Sequence, residues 1–261
     1  MTVSDAPAAT ASRVSARSLA LLFAGHERRV PLAALYDIEA DIAAAARPRV
    51  EHAVAHAKLT WWRGEVDRLA AGRPQHPASR ALLAAAGNAP DYSRLHERLA
   101  GADLVLAGFV PSSARELEAL LYRTHGAVQQ LAAQVCGAGP ATALDVFGAE
   151  LGRALGLLDT LGSAVAAAPP DRERPAELWP AALAARARVA LAASDSALTP
   201  AERAGQSHGC VLVALAAAEL ARAARRGDAI PGRYPARAAL ADLWIAWRAA
   251  RRAVAGKGVG A

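Results

Sequence analysis

Three carboxylates fall within five residues, at Asp37, Glu39 and Asp41. Asp37 and Asp41 are four residues apart, which puts both on one face of a helix, and such a pair of oxygen ligands can hold a cation. The apolar residues nearby repeat at helical spacing on the opposite face: Leu32, Leu35, Ile38 and Ile42. Asp37 and Asp41 are therefore expected to face water. Glu39 falls within the apolar stripe, where a carboxylate is costly to bury without a partner.

Asp103 is a second carboxylate on an apolar helix face, which it shares with three leucines. Two interpretations of Asp103 and Glu39 stay open. Each could be a core carboxylate neutralised by an arginine such as Arg63 or Arg123, or the two could form a polar spot with a perturbed pKa.

Histidine and cysteine spacing gives no stronger site. His52 and His56 have the i, i+4 spacing of metal ligands but lack an evident third ligand, so a solvated helix face is expected. Cys136 and Cys210 are far apart, which predicts neither a zinc site nor a disulfide framework and fits a reducing cytoplasm.

The elements that must position these residues are helices. The chain is rich in alanine and poor in aromatic residues (5%), and its apolar residues recur at helical spacing. Glycine and proline punctuation divides the pattern into predicted helices near 17–46, 48–71, 77–86, 91–108, 112–136, 140–167, 175–193, 199–226 and 234–255. These form one all-α domain over 17–255, with a disordered tail at 1–16 and a flexible tail at 256–261.

The sequence predicts a cytoplasmic protein, with any membrane contact peripheral. Residues 1–16 lack the apolar core of a secretory signal, and no apolar run reaches the length of a membrane span. The nearest run, 211–220, is short and broken by Glu219.

The formal charge of +6 comes from scattered arginines without interleaved aromatic residues, which argues against a nucleic-acid partner. Near the C-terminus, Trp244, Trp247 and Arg248 form one helix face. It could contact a membrane, but packing in the core is the commoner outcome for such a face.

Residues 58–77 carry a family resemblance. They read Lys-Leu-Thr-Trp-Trp-Arg-Gly-Glu-Val-Asp-Arg-Leu-Ala-Ala-Gly-Arg-Pro-Gln-His-Pro. This resembles the squalene/phytoene synthase family, in which a Trp-Trp-Arg turn precedes a Gly-x-Pro-x-His-Pro exit. Shorter segments resemble other parts of the family less strongly and occur in the same order along the chain, at 34–36, 102–104, 121–126, 151–156 and 178–180.

The resemblance implies an isoprenoid-synthase-type helical bundle with a central apolar cavity for prenyl chains. In active members, two Asp-x-x-x-Asp motifs hold Mg²⁺ ions that neutralise a diphosphate leaving group. Here the second motif is degenerate: its Arg position holds Gly162, its Asp positions hold Ser163 and Ala167, and only Asp159 remains.

Ungapped alignment on 34–36 and 61–62 makes the first motif resemble a divergent branch of the family. That branch has Asn-x-Glu in place of the aspartate motif, and its positions hold Glu39 and Asp41 here. It includes proteins resembling the respiratory complex I assembly factor, which keep the fold and lose the catalytic aspartates.

Three functions follow as hypotheses. The favoured one is a catalytically silent member that needs no cofactor and either binds an isoprenoid or lipid-like molecule or acts as a protein assembly partner. The second is an active Mg²⁺-dependent transferase that condenses two prenyl diphosphates, with Asp37 and Asp41 turned inward after all and Asp159 recruited. The third is a structural protein with a collapsed cavity. The predicted ligand-binding residues are Glu39, Asp41, Trp62, Arg63, Asp103, Tyr122, Arg123 and Asp159.

Overall fold

The computed structural model describes residues 15–47, 50–137, 141–162, 175–226 and 239–259. All regular structure in these ranges is helical, as predicted. The α-helices are α1 (Ala16–Leu22), α2 (His26–Ala45), α3 (His52–Ala70), α4 (Pro77–Ala86), α5 (Arg94–Leu106), α6 (Ala114–Leu121), α7 (Ala127–Cys136), α8 (Ala141–Gly162), α9 (Pro180–Ser196), α10 (Pro200–Gly205), α11 (Ser207–Arg226) and α12 (Ala239–Val254). A π-helical turn, Tyr122–Gly126, joins α6 to α7, and a 3₁₀ turn, Ala176–Leu178, precedes α9.

Four of the predicted helices are interrupted, and one of them, 175–193, is divided at Trp179, which is extended (ψ 151°) between the 3₁₀ turn and α9. The first predicted helix breaks at Phe23–Gly25, because Gly25 is extended (φ −52°, ψ 145°) where it starts α2. The predicted helix 112–136 contains the π-helical turn, and 199–226 is divided at Gln206. The predictions for 1–14 and 163–167 lie outside the described residues. The predicted C-terminal tail, 256–261, is described as far as Val259, whose backbone N–H donates to Asp195 Oδ1 (3.0 Å).

The helices enclose two apolar clusters. One is formed by α2, α3, α4, α5 and α7, and the other by parts of α1, α6, α8, α9, α11 and α12. Polar contacts cross between them: the Gln206 side chain donates to the Ala133 carbonyl (2.9 Å), and Arg28 donates to the Gly205 carbonyl (2.5 Å). The two clusters are therefore fixed relative to each other by hydrogen bonds as well as by packing.

One helix of the described chain is long and apolar enough to cross a membrane, contrary to the expectation from the run at 211–220. It covers Ser207–Arg225 with a mean hydropathy of 1.2, and 67% of it is buried inside the protein. Its acidic residue, Glu219, forms a salt bridge with Arg222 (2.8 Å). These features are those of a core helix of a folded domain.

Glycines let α8 and α5 approach the π-helical turn closely. A Cβ on Gly152 of α8 would lie 2.5 Å from the Cα of Gly126 at the end of the turn. From the other side, a Cβ on Gly101 of α5 would lie 3.1 Å from the Arg123 carbonyl carbon. A π-helical turn widens the helix locally. It is accommodated here because both neighbouring helices present no side chain.

Replacement of Gly152 by alanine is expected to destabilise the protein by about 2–3 kcal/mol or more, since backbone rather than a flexible side chain opposes the new methyl group. Gly64→Ala is the matched control in helix α3, where the added Cβ would meet only the tip of the Arg68 side chain, 3.3 Å away. There alanine should be neutral or stabilising by up to about 1 kcal/mol. Urea unfolding of both variants measures the difference; equal stability of the two would contradict the close contact.

Candidate functional site

Glu39 is buried at 8% exposure, and two arginines from other helices neutralise it. Arg17 of α1 donates to one carboxylate oxygen (2.5 Å), and Arg98 of α5, 6% exposed, donates to the other (3.1 Å). Burial alone would raise the pKa of Glu39, but the two guanidinium groups outweigh it and the pKa is lowered. Glu39 is therefore an ionised carboxylate between two fixed cations.

Arg17 also links this ion pair to a buried aromatic contact. Its guanidinium lies over the Tyr36 ring, 4.8 Å from the centroid, and the Tyr36 hydroxyl lies 3.2 Å from His208 Nε2 on α11. Burial raises the pKa of Tyr36, with Arg17 opposing the shift. Burial, reinforced by Arg17, lowers the pKa of His208 to about 3. Both residues are therefore neutral hydrogen-bonding groups near pH 7.

The π-helical turn contributes a second neutral histidine. Burial lowers the pKa of His125 to about 4, opposed chiefly by the negative charge of Asp159. The Thr124 hydroxyl donates to the Leu120 carbonyl (2.8 Å) and lies 2.9 Å from His125 Nδ1. Because the hydroxyl has a single proton, it accepts from Nδ1–H, which leaves His125 Nε2 as a hydrogen-bond acceptor.

Gln129 supplies an unsatisfied donor one helical turn after His125. Its side chain is 2% exposed and lies close enough to the Tyr36 hydroxyl to oppose the rise in the pKa of Tyr36 that burial causes, but Nε2 has no partner in strict hydrogen-bond geometry among the described residues. Most buried polar groups in proteins have a partner, so this donor is suited to a bound molecule. We call the whole group the central polar cluster: Arg17, Tyr36, Glu39, Arg98, His125, Gln129, Asp159 and His208.

The structure places two of the predicted ligand-binding residues in this cluster. Glu39 is at its centre, and Asp159, although exposed, acts electrostatically on His125 and Arg17. The arginines proposed as partners of Glu39, Arg63 and Arg123, were the wrong ones, because Arg17 and Arg98 hold it instead.

Four other predicted ligand-binding residues lie outside the central polar cluster. Arg63 forms its salt bridge with Asp103, as anticipated for that carboxylate, so Asp103 and Glu39 share no partner. Arg123 lies 3.3 Å from Glu97, and Tyr122 is 38% exposed. Their roles in ligand binding stay predictions.

Trp62 and Asp41 belong to a different part of the protein. Trp62 is buried, with its ring centroid 4.8 Å from that of His76. Asp37 and Asp41 are exposed, as the helical periodicity predicts, and line a surface groove of about 680 Å³ with His76. Asp41 lies 3.7 Å from His76 Nε2. The two aspartates therefore lie on the side of α2 opposite to Glu39.

The turn between α3 and α4, within the segment that resembles the family, has a structural explanation in Glu65. This fully buried carboxylate accepts from the backbone N–H groups of Gln75 (2.8 Å) and His76 (2.7 Å) and from Arg68 Nε (2.9 Å). Burial by itself would raise the pKa of Glu65, but the hydrogen-bond donors outweigh burial, so the pKa is lowered. Glu65 thus fixes the exit turn between α3 and α4.

The described residues do not fit a magnesium cluster. No group of three or more His, Cys, Asp or Glu side chains in the described ranges is arranged to hold a metal ion. The inward carboxylate of α2 is engaged by two arginines, and its aspartate pair faces outward. A guanidinium and a divalent cation compete for the same carboxylate oxygens.

Arg98 is the site residue that the sequence interpretation missed despite a usable signal. It falls between Leu95, Leu99 and Ala102 on the buried stripe of α5. An arginine on an apolar stripe needs a buried partner, as a carboxylate does. The two mismatched charges, Arg98 and Glu39, therefore satisfy each other.

Comparison with known proteins decides the family. The squalene/phytoene synthase family model matches residues 12–252. This chain belongs to the squalene/phytoene synthase family. A crystal structure of a dehydrosqualene synthase in complex with ligand is similar in fold, with a TM-score of 0.70 over 90% of both chains at 14% identity. None of the curated proteins compared with the chain matches it.

Replacement of Glu39 by glutamine is expected to destabilise this family member by about 3 kcal/mol near pH 7, because two buried guanidinium groups lose their counter-charge. The lowered pKa of Glu39 makes its contribution complete above the unfolded value of about 4.3 and lost as the pH falls through the folded value. Urea unfolding from pH 7 to pH 3 should therefore show that the difference in the free energy of unfolding between the variant and wild type becomes smaller at low pH.

The control is Asp37→Asn, at an exposed carboxylate on the same helix, whose free energy of unfolding should stay within about 0.5 kcal/mol of wild type. A loss of stability in the Glu39 variant that does not depend on pH would contradict the ion pair.

Proposed function

We propose that this chain is a divergent member of the squalene/phytoene synthase family that binds an uncharged isoprenoid or lipid-like molecule and lacks magnesium-dependent turnover. The observation that carries the proposal is the engagement of Glu39 by Arg17 and Arg98. In the active enzymes that the chain resembles, inward carboxylates hold metal ions. Here guanidinium groups already occupy the inward carboxylate of α2.

Charge balance in the central polar cluster favours an uncharged ligand. The positive charges of Arg17 and Arg98 are matched by Glu39 and Asp159, and the cluster's two histidines are neutral near pH 7. A diphosphate needs unmatched positive charge or metal ions to offset its desolvation. The described members of the cluster supply neither.

The unused hydrogen-bonding groups suit a hydroxyl or a similar neutral oxygen. Gln129 Nε2, beside the Tyr36 hydroxyl, is a donor without a partner in strict geometry among the described residues, and the tautomer set by Thr124 makes His125 Nε2 an acceptor one helical turn earlier. A hydroxyl group can accept from the first and donate to the second. The rest of an isoprenoid chain would lie against apolar side chains of the two clusters.

The test has two arms with the full-length protein. The first measures diphosphate release and hydrocarbon formation from farnesyl and geranylgeranyl diphosphate, with and without Mg²⁺. The second measures thermal protection by farnesol, geranylgeraniol and the matching diphosphates. We expect no metal-dependent release, and protection by the alcohols that is at least as strong as that by the diphosphates.

Gln129→Leu should weaken the binding of the alcohols about 3- to 10-fold, which is the loss of one neutral hydrogen bond. Gln75→Leu is the matched control at an exposed position, and it should bind as wild type does. Metal-dependent diphosphate release that disappears in Asp37→Ala or Asp41→Ala would instead identify an active transferase. Absence of both turnover and protection would point to an assembly role.

A further inference from the structure

Helix α12 has its large apolar residues on the outside. The side that packs against the protein consists mainly of alanines, Ala246, Ala249, Ala250 and Ala253, with the partly buried Ile245 and the buried Asp242 beside them. The exposed side carries Leu240 (81% exposed), Leu243 (40%), Trp244 (57%), Trp247 (39%) and Val254 (69%). This inverts the usual distribution, in which large apolar side chains fill the core. The sequence left open whether the tryptophan face packs inside, which is the commoner outcome, and the structure exposes it.

The two exposed tryptophans pack against each other and form one apolar projection from the helix. Their rings stack at 4.8 Å between centroids with an interplanar angle of 23°. The surface continues onto the end of α1 through a groove of about 340 Å³, which Phe23, Trp247 and Val254 help to line. Leu22, beside Phe23 in the chain, is 56% exposed. An exposed apolar surface of this kind marks an interaction site.

The charges on the same face are all positive. Arg248 and Arg251 are exposed, and Arg251 lies over the Trp247 ring at 5.3 Å. Neither forms a salt bridge within the described ranges. The helix has one acidic residue, Asp242, which is buried and paired with Arg222 (2.7 Å). The exposed side of α12 therefore combines tryptophan, aliphatic and unmatched basic groups with no negative charge.

We propose that this tryptophan face of α12 docks the protein on the surface of an anionic lipid bilayer. Tryptophan favours the boundary between headgroups and acyl chains, and arginines beside it attract anionic headgroups. The alanine side of α12 stays packed on the protein, so the helix lies along the membrane surface instead of crossing it. The proposal rests on this face alone and is independent of the ligand of the central polar cluster.

The test is co-sedimentation of the full chain with vesicles of phosphatidylcholine alone and with added phosphatidylglycerol. We expect binding that needs the anionic lipid and weakens at high salt. Trp244→Ser/Trp247→Ser and Arg248→Gln/Arg251→Gln should each reduce binding about tenfold or more. Arg188→Gln/Val189→Ser on α9 removes one exposed arginine and one exposed apolar residue elsewhere, and should bind as wild type does.

Melting curves accompany the binding assay, and because the substituted side chains are exposed, all variants should melt as wild type does. Failure of the wild type to sediment with anionic vesicles would overturn the proposal, as would binding that the tryptophan and arginine variants retain. Light scattering without lipid gives a further check. A dimer that the tryptophan variant abolishes would assign the face to a second copy of the chain instead.

Discussion

The buried charge of Glu39 is the constraint on which the interior of this protein depends. An ionised carboxylate at that depth is stable only with counter-charges that are equally fixed. Arg17 and Arg98 come from helices on either side of α2, so one carboxylate joins α1, α2 and α5. Arg17 extends the linkage through Tyr36 to His208 on α11. The two apolar clusters therefore meet around a charged and hydrogen-bonded centre.

The π-helical turn between α6 and α7 positions another member of the central polar cluster. Gly152 of α8 and Gly101 of α5 admit the widened turn between them. The π-helical turn carries His125, on which the negative charge of Asp159 on α8 acts. Gly152 therefore influences the position of His125 through the close approach of α8 to the turn. Such turns are frequent at functional sites.

Local periodicity was enough to predict the helices, the outward direction of Asp37 and Asp41, and the burial of Glu39. Of the partners of Glu39, Arg98 carries a signal in its place on the buried stripe of α5, but nothing in the local pattern identifies Arg17, which is 22 residues away and is brought to Glu39 only by helix packing. The break at Gly25 and the π-helical turn were missed because a glycine within a helical pattern does not itself signal an interruption. The orientation of α12 stayed open for another reason. Its alanines and its tryptophans both repeat at helical spacing, so periodicity alone does not decide which of the two faces is buried.

We propose that arginines take the place of metal ions at the inward carboxylate of α2. The most direct measurement is a titration of the full-length protein with Mn²⁺, a spectroscopically visible substitute for Mg²⁺, in the presence and absence of farnesyl diphosphate. We expect no stoichiometric Mn²⁺ binding to the wild-type protein, and we expect the Glu39→Gln variant to give the same result. Stoichiometric Mn²⁺ binding that is lost in Glu39→Gln, or in Asp37→Asn with Asp41→Asn, would contradict the proposal.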